Sequence, residues 1–144
     1  MTTPLQHIQT LPSWLAGRVA SRGRGLVADA IAVEGLKLLQ HAVLAGVAEY
    51  GPVAQAELGR RLAVDPKDMV GALNHLQRAG YVLRSPDPAD RRKNAVTVTP
   101  EGVAVLARCA ELAEAANAEL LAALNPDEQR QLMAFLGRLH QAGA

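Results

Sequence analysis

The residues best equipped for chemistry lie between Asp65 and Thr99, in the run DPKDMVGALNHLQRAGYVLRSPDPADRRKNAVTVT. Arg91, Arg92 and Lys93 form a compact cationic cluster with Asp90 before it and Asn94 after it. Such a cluster suits phosphate oxygens. Upstream, Lys67, Asp68, Gly71, Asn74 and His75 recur at helical spacing on the side away from the apolar residues. A helix that can enter one groove, next to a cationic loop that can reach another, is equipment for holding DNA. The competing reading of the loop is a solvated charged turn.

Other chemistries find no support in the residues. No Ser/His/Asp set, glycine-rich phosphate loop or paired carboxylate site has motif spacing, so an enzyme is not expected. The histidines (7, 41, 75 and 140) are far apart, and Cys109 is the one cysteine, so neither a metal cage nor a disulfide is expected within the chain. No cofactor is implied.

The elements that would position the basic residues follow from pattern and composition. The chain has 144 residues, 49% hydrophobic, 20% charged and only 3% aromatic, which argues for one domain with an aliphatic, alanine-rich core and a bias towards helix. The net charge is only +1. Its distribution is uneven: residues 60–99 carry 8 Lys/Arg against 4 Asp/Glu, and residues 100–144 carry 3 against 6. A basic face with acidic surface elsewhere is the footprint of a nucleic-acid binder. The N-terminal stretch lacks an apolar segment of signal type, and the longest uncharged apolar-rich run, Leu38 to Ala48, is shorter than the ~20 residues a span needs. A cytoplasmic protein with no membrane partner is expected.

In order, residues 1–10 read as a frayed or short arm. A first helix runs from about Leu11, with Leu11, Leu15, Val19, Leu26 and Ala30 on one face, and ends at Gly35. A second spans Leu36 to Tyr50 with a stripe of Leu36, Leu39, Val43 and Val47. Pro52–Ala54 is extended, and a third helix covers Gln55 to Leu62. Asp65-Pro66, Thr99-Pro100 and Asn125-Pro126 each combine a capping side chain with a proline at the first helical position, so each starts a helix. The fourth helix should bury Met69, Val70, Leu73 and Leu76 and stop at Gly80. Tyr81–Arg84 and Ala95–Thr99 form a hairpin. A long helix, Pro100 to Leu124, should face inward with Val103, Leu106, Ala110, Ala113, Leu120 and Leu124. A last helix reaches about Gln141 with Leu132, Met133, Leu136 and Leu139 on its stripe. The fold class is therefore mainly α with a small β-hairpin: a winged helix–turn–helix at 36–99, flanked by helices at 11–35 and 100–142. A core this small leaves the flanking apolar stripes uncovered, which predicts pairing with a second copy.

The runs LQHAVLAGVAEYGPVAQAELGRRLAVD and LQRAGYVLRSPDPADRRKNAVTVTPEG resemble the MarR (multiple-antibiotic-resistance regulator) family of transcription factors, from about Leu11 to the C-terminus. The most specific element is D-P-x-D-R-R followed by V-x-[VL]-T-x-x-G, here Asp87 to Gly102. The resemblance implies a homodimer joined by its terminal helices. It places recognition helices in successive major grooves and wings in flanking minor grooves of a pseudo-palindromic double-stranded DNA. It further implies repression that a small effector often relieves.

On this resemblance Arg92 is the wing-tip arginine of the minor groove, a place that suits a planar, weakly hydrated cation. Asp90 is the aspartate that holds a basic side chain in place, and Arg91 and Lys93 reach phosphates, with Asn94 beside them. Lys67 can donate to guanine or phosphate, and Asp68 can accept from cytosine N4 or serve only as a helix-start charge. The chain departs from the common pattern at Val70 and Gly71, where many members carry Ser/Thr and Arg. Gln55, Arg60, Arg61 and Arg84 are backbone contacts or plain surface. For a ligand, Trp14, Arg18, Arg22 and His41 match the family's pocket and suit an aromatic acid, by stacking and by pairing with a carboxylate. Packing and surface charge are the competing roles. Peroxide-sensing relatives carry a reactive cysteine in the first helix. Cys109 lies elsewhere and reads as a small buried hydrophobe. The rival to a regulator is a winged-helix protein-interaction module.

Overall fold

Three Asx/Thr-Pro steps start three of the helices, as their chemistry requires. The computed structural model describes residues 1–87, 89–90 and 94–144. Asp65 Oδ1 accepts from the Lys67 amide at 2.8 Å at the head of α5 (Pro66–Arg78). The Gly102 amide donates to Thr99 Oγ1 at 3.1 Å at the head of α6 (Pro100–Leu120). Asn125 and Glu128 make a reciprocal capping box at the head of α7 (Pro126–Ala142).

The chain forms two units. Residues 27–113 contain α3 (Leu38–Tyr50), β1 (Val53–Ala54), α4 (Gln55–Leu62), α5, β2 (Val82–Pro86) and β3 (Asn94–Val98), with parts of α2 (Pro12–Ile31) and α6. The sheet is antiparallel in the order β1-β3-β2, and Arg84 on β2 lies opposite Val96 on β3. Ile31, Leu36, Val43, Leu44, Val47, Leu58, Met69, Leu73, Leu76, Val82, Val96, Val105 and Cys109 fill one buried cluster. Helix α4, a turn through Ala63, and α5 make the helix–turn–helix. Gly80, at φ +82°, provides the left-handed residue that turns the chain from α5 into β2. Thr99 also donates its hydroxyl to Gly80 O at 2.6 Å, tying that turn to the start of α6.

Residues 1–26 and 114–144 form the other unit, with α1 (Pro4–Gln9), most of α2, the end of α6, and α7. Gln129 Nε2 donates to the carbonyls of Leu121 and Leu124, satisfying acceptors that the end of α6 leaves open. Leu5, Ile8, Leu15, Val19, Met133, Phe135, Leu136 and Leu139 are exposed in the single chain. No single helix among the described residues is long and apolar enough to cross a membrane.

Several expected details are corrected. The frayed arm is helix α1, because Thr3 and Gln6 form a capping box ahead of it. Helix α2 ends at Ile31, and a 3₁₀ turn (Ala32–Glu34) carries the chain to Gly35, which is left-handed at φ +74°. Helix α3 begins at Leu38, since Lys37 is extended, and Leu39 is exposed while Leu44 takes its place inside. The hairpin strands are Val82–Pro86 and Asn94–Val98, a small shift of each expected run.

Helix α6 ends at Leu120, and its inner stripe is Gly102, Val105, Cys109, Leu112 and Ala116, with the expected Leu106 also packed half-buried on the core, while Val103 is 54% exposed and Ala110 is exposed. Gly102 explains the rotation. A Cβ there would stand 2.3 Å from Tyr81 O, so the glycine lets that face of the helix press against backbone. Val70 is 43% exposed, because the buried side of α5 is Met69, Ala72, Leu73 and Leu76.

Candidate nucleic-acid interface

Helix α5 has a buried side and an opposite stripe of Lys67, Gly71, Asn74 and Arg78, spaced four, three and four residues apart. Val70 and Gln77 flank the stripe on one side, Asp68 and His75 on the other. Lys67, Asp68, Val70, Gly71, Gln77 and Arg78 are exposed, and Asn74 and His75 are half-buried. An alanine Cβ at Gly71 would meet nothing within 4 Å. The outward stripe therefore has a shallow step at Gly71 between two cationic residues.

Asn74 on this stripe and His75 beside it have tertiary partners. His75 Nε2 lies 3.0 Å from Gly35 O, so its ring spans from α5 to the corner between α2 and α3. Asn74 Oδ1 accepts from Arg84 Nη2 at 2.6 Å, and Gln77 Oε1 accepts from Arg84 Nε at 2.7 Å. Arg84 thus bolts strand β2 to the second half of α5. Pattern reading missed Gln77 and Arg78. Continuing the helical spacing beyond Asn74 would have found both.

Gln55, Arg60 and Asn94 line a groove of about 510 Å³ together with Gly59, Val64, Pro66 and Val70. Gln55 Oε1 is buried in it with no hydrogen-bond partner among the described residues. Arg61 stays outside this groove. It pairs with Glu57 and lies 4.6 Å from the Tyr50 ring centre. On the hairpin, Asp87 Oδ1 accepts from the Ala89 amide at 2.8 Å, Asp90 is half-buried and Asn94 is exposed. Arg91, Arg92 and Lys93 lie outside the described residues.

The residues expected at a ligand fall in both units. Trp14, Arg18 and Arg22 share one face of α2 in the unit formed by the chain ends. The Arg18 guanidinium carbon lies 5.7 Å from the half-buried Trp14 ring centre. Arg22 reaches Leu120 O at 3.5 Å. His41 belongs to the other unit, on α3, where partial burial holds its imidazole below its ordinary pKa. In the same unit, Glu34 and Arg108, 74 positions apart, form a two-pronged bond at 2.8 and 3.1 Å, which lowers the carboxylate's pKa and raises the guanidinium's. Burial raises the Cys109 thiol's pKa, so little of it is thiolate and it behaves as the apolar filler its position suggests.

This architecture matches known proteins. Residues 34–93 match the MarR family. The chain is 31% identical over 126 residues to the HTH-type transcriptional repressor Rv2887 of Mycobacterium tuberculosis, covering 88% of this chain and 91% of that one. It is 32% identical over 104 residues to the HTH-type transcriptional repressor NicR of Pseudomonas putida, covering 72% of this chain and 66% of that one. Among solved structures, a probable transcriptional regulator from Pseudomonas aeruginosa superposes with a TM-score of 0.77 at 33% identity, over 92% of this chain and 98% of that one. Rv2887 in complex with DNA gives a TM-score of 0.78 at 29% identity, over 90% and 98%. Rv2887 with p-aminosalicylic acid gives 0.74 at 29% identity, over 91% and 99%.

Proposed function

The chain belongs to the MarR family of transcriptional regulators, and from that premise we propose that it is a homodimeric DNA-binding repressor released by a small aromatic acid. The observation that carries this reading is the outward stripe of α5, Lys67–Gly71–Asn74–Arg78, followed in the chain by two paired strands whose connecting sequence includes Arg91-Arg92-Lys93. Lys67 and Arg78 supply donors for base edges or phosphates, Asp68 supplies an acceptor at the helix start, and the wing arginine Arg92 enters the minor groove. Gln55, Arg60 and Asn94 hold the backbone between these two elements.

The exposed apolar faces of α1, α2 and α7 pair with the same faces of a second copy. The working assignment is residues 36–99 for DNA and 11–35 with 100–142 for dimerisation. Two recognition helices then meet half-sites about one helical turn apart, ~34–36 Å. The effector reading rests on Trp14 with Arg18 on α2, residue types that suit a ring bearing a carboxylate. Rv2887 holds such a molecule, p-aminosalicylic acid. As a regulator of transcription the protein works in the cytoplasm and has no catalytic step.

A gel-shift titration on the DNA flanking the chain's own gene tests the proposal. Sequence-dependent binding that falls steeply with salt is expected, because neutralised phosphates release counterions. Salicylate or a related aromatic acid should release the complex. Absence of salt-sensitive binding to any duplex would leave the winged-helix interaction module as the better reading.

A further inference from the structure

Arginine has only donors, so an amide that bonds to it must turn its carbonyl oxygen towards it. Arg84 does this to two amides of the recognition helix at once. Its Nη2 takes Asn74 Oδ1 at 2.6 Å and its Nε takes Gln77 Oε1 at 2.7 Å. Both bonds are short and charge-assisted, the class that is roughly twice as strong as neutral ones. Within a planar amide the NH2 group then points away from Arg84.

We propose that Arg84 sets the hydrogen-bonding polarity of the reading face: by occupying the carbonyl oxygens of Asn74 and Gln77 it leaves both amides as donors, so this part of α5 selects guanine over adenine. In the major groove guanine presents two acceptors, N7 and O6, whereas adenine presents one acceptor and one donor. Asn or Gln reads adenine by using its oxygen and its NH2 together. That pairing needs the oxygen and the NH2 to face the base together, and Arg84 holds each oxygen towards strand β2. The neighbours reinforce the bias. Lys67 and Arg78 on the same stripe carry donors only, and Gly71 between them offers no side chain that could accept. The one carboxylate on the exposed side, Asp68, lies on the flank, two turns before His75. Arg84 is on this account a positioning residue. It acts through the two amides and not through a phosphate.

The inference rests on the DNA-binding reading, and site selection from a random duplex library separates the two. The wild-type chain should enrich guanine at the positions under Asn74 and Gln77. Arg84→Ala should lose at least roughly fivefold of that preference, the lower end of what one good base contact supplies, with the salt slope unchanged. Arg84→Lys should not restore it, because one ammonium cannot present the planar fork that meets both amides. Asn74→Asp guards against misfolding of the arginine variants. Its carboxylate still accepts from Arg84 but has no donor, so the guanine preference at the position under Asn74 should vanish, that under Gln77 should stay, and the melting temperature should hold.

Selection of adenine by the wild type, or an unchanged preference in Arg84→Ala, would overturn this inference and leave the regulator intact. So would a uniform loss of affinity with the salt slope reduced by about one, the mark of a lost phosphate contact. A wild-type chain that selects no duplex would overturn both.

Discussion

His75 Nε2 on α5 stands 3.0 Å from the carbonyl oxygen of Gly35, forty positions earlier in the chain. Gly35 takes a left-handed φ of +74° at the corner where the 3₁₀ turn gives way to α3, so its carbonyl has no helical partner to satisfy it. The imidazole thus ties the recognition helix to a corner whose other side chain, Glu34, is held by Arg108 of α6. His75→Ala should lower stability by about 0.5–1.5 kcal/mol, the net worth of one such bond, measurable by urea unfolding. An unchanged midpoint would show that water replaces the ring at no cost.

Two glycines should respond in opposite ways to alanine. At Gly102 a Cβ would stand 2.3 Å from Tyr81 O and 2.8 Å from Val98 Cγ2, and the carbonyl belongs to backbone that cannot swing away. Gly102→Ala should destabilise by at least roughly 1–3 kcal/mol, the usual penalty for overpacking. Gly71 faces open space inside α5, so Gly71→Ala should stabilise by about 0.5–1 kcal/mol through helix propensity. Thermal melts of the two variants side by side check both signs.

The oligomeric state follows from the exposed apolar faces. Phe135 is 55% and Leu139 72% exposed on α7 in the single chain. The double variant Phe135→Glu/Leu139→Glu should sediment as a monomer at micromolar concentration where the wild type is a dimer. Its half-site spacing is lost with the dimer, so operator affinity should collapse as well. A wild type that sediments as a monomer would remove the paired-helix arrangement.

The proposed place of Arg92 in the minor groove rests on its position in the sequence between β2 and β3. Arg92→Ala should weaken operator binding by about 1–3 kcal/mol, the scale of a good groove contact. Equal affinity of the two proteins in a salt-matched titration would take Arg92 out of the interface.

Acid should weaken the fold through His41. Burial holds its imidazole below the ordinary value of 6.5, so the folded chain favours the neutral ring. As pH falls from 6.5 towards the folded value, the unfolded chain binds the proton first. The contribution is therefore fully present above 6.5 and is lost as pH drops through that window. His41→Gln should flatten this segment of the stability curve, read as melting temperatures on either side of 6.5. A wild-type curve already flat there would contradict the buried neutral ring.

The sequence alone determined where α5, α6 and α7 begin, because a capping Asp, Thr or Asn followed by proline acts within one turn and needs no tertiary help. It determined the order of elements, the hairpin, and the family, whose most specific signature is local in the chain. It also placed Lys67, Gly71 and Asn74 on the outward side of α5, since helical spacing is local too. Only the tertiary structure decided what depends on neighbours distant in sequence. The close approach of Gly102 to Tyr81 rotated α6 and put Val105 and Cys109 inside in place of Val103 and Ala110. The core under α5 left Val70 outside. The same distant pairings bent His75 to Gly35 and brought Arg84 against Asn74 and Gln77, contacts that no periodicity encodes because each joins separate elements through directional hydrogen bonds.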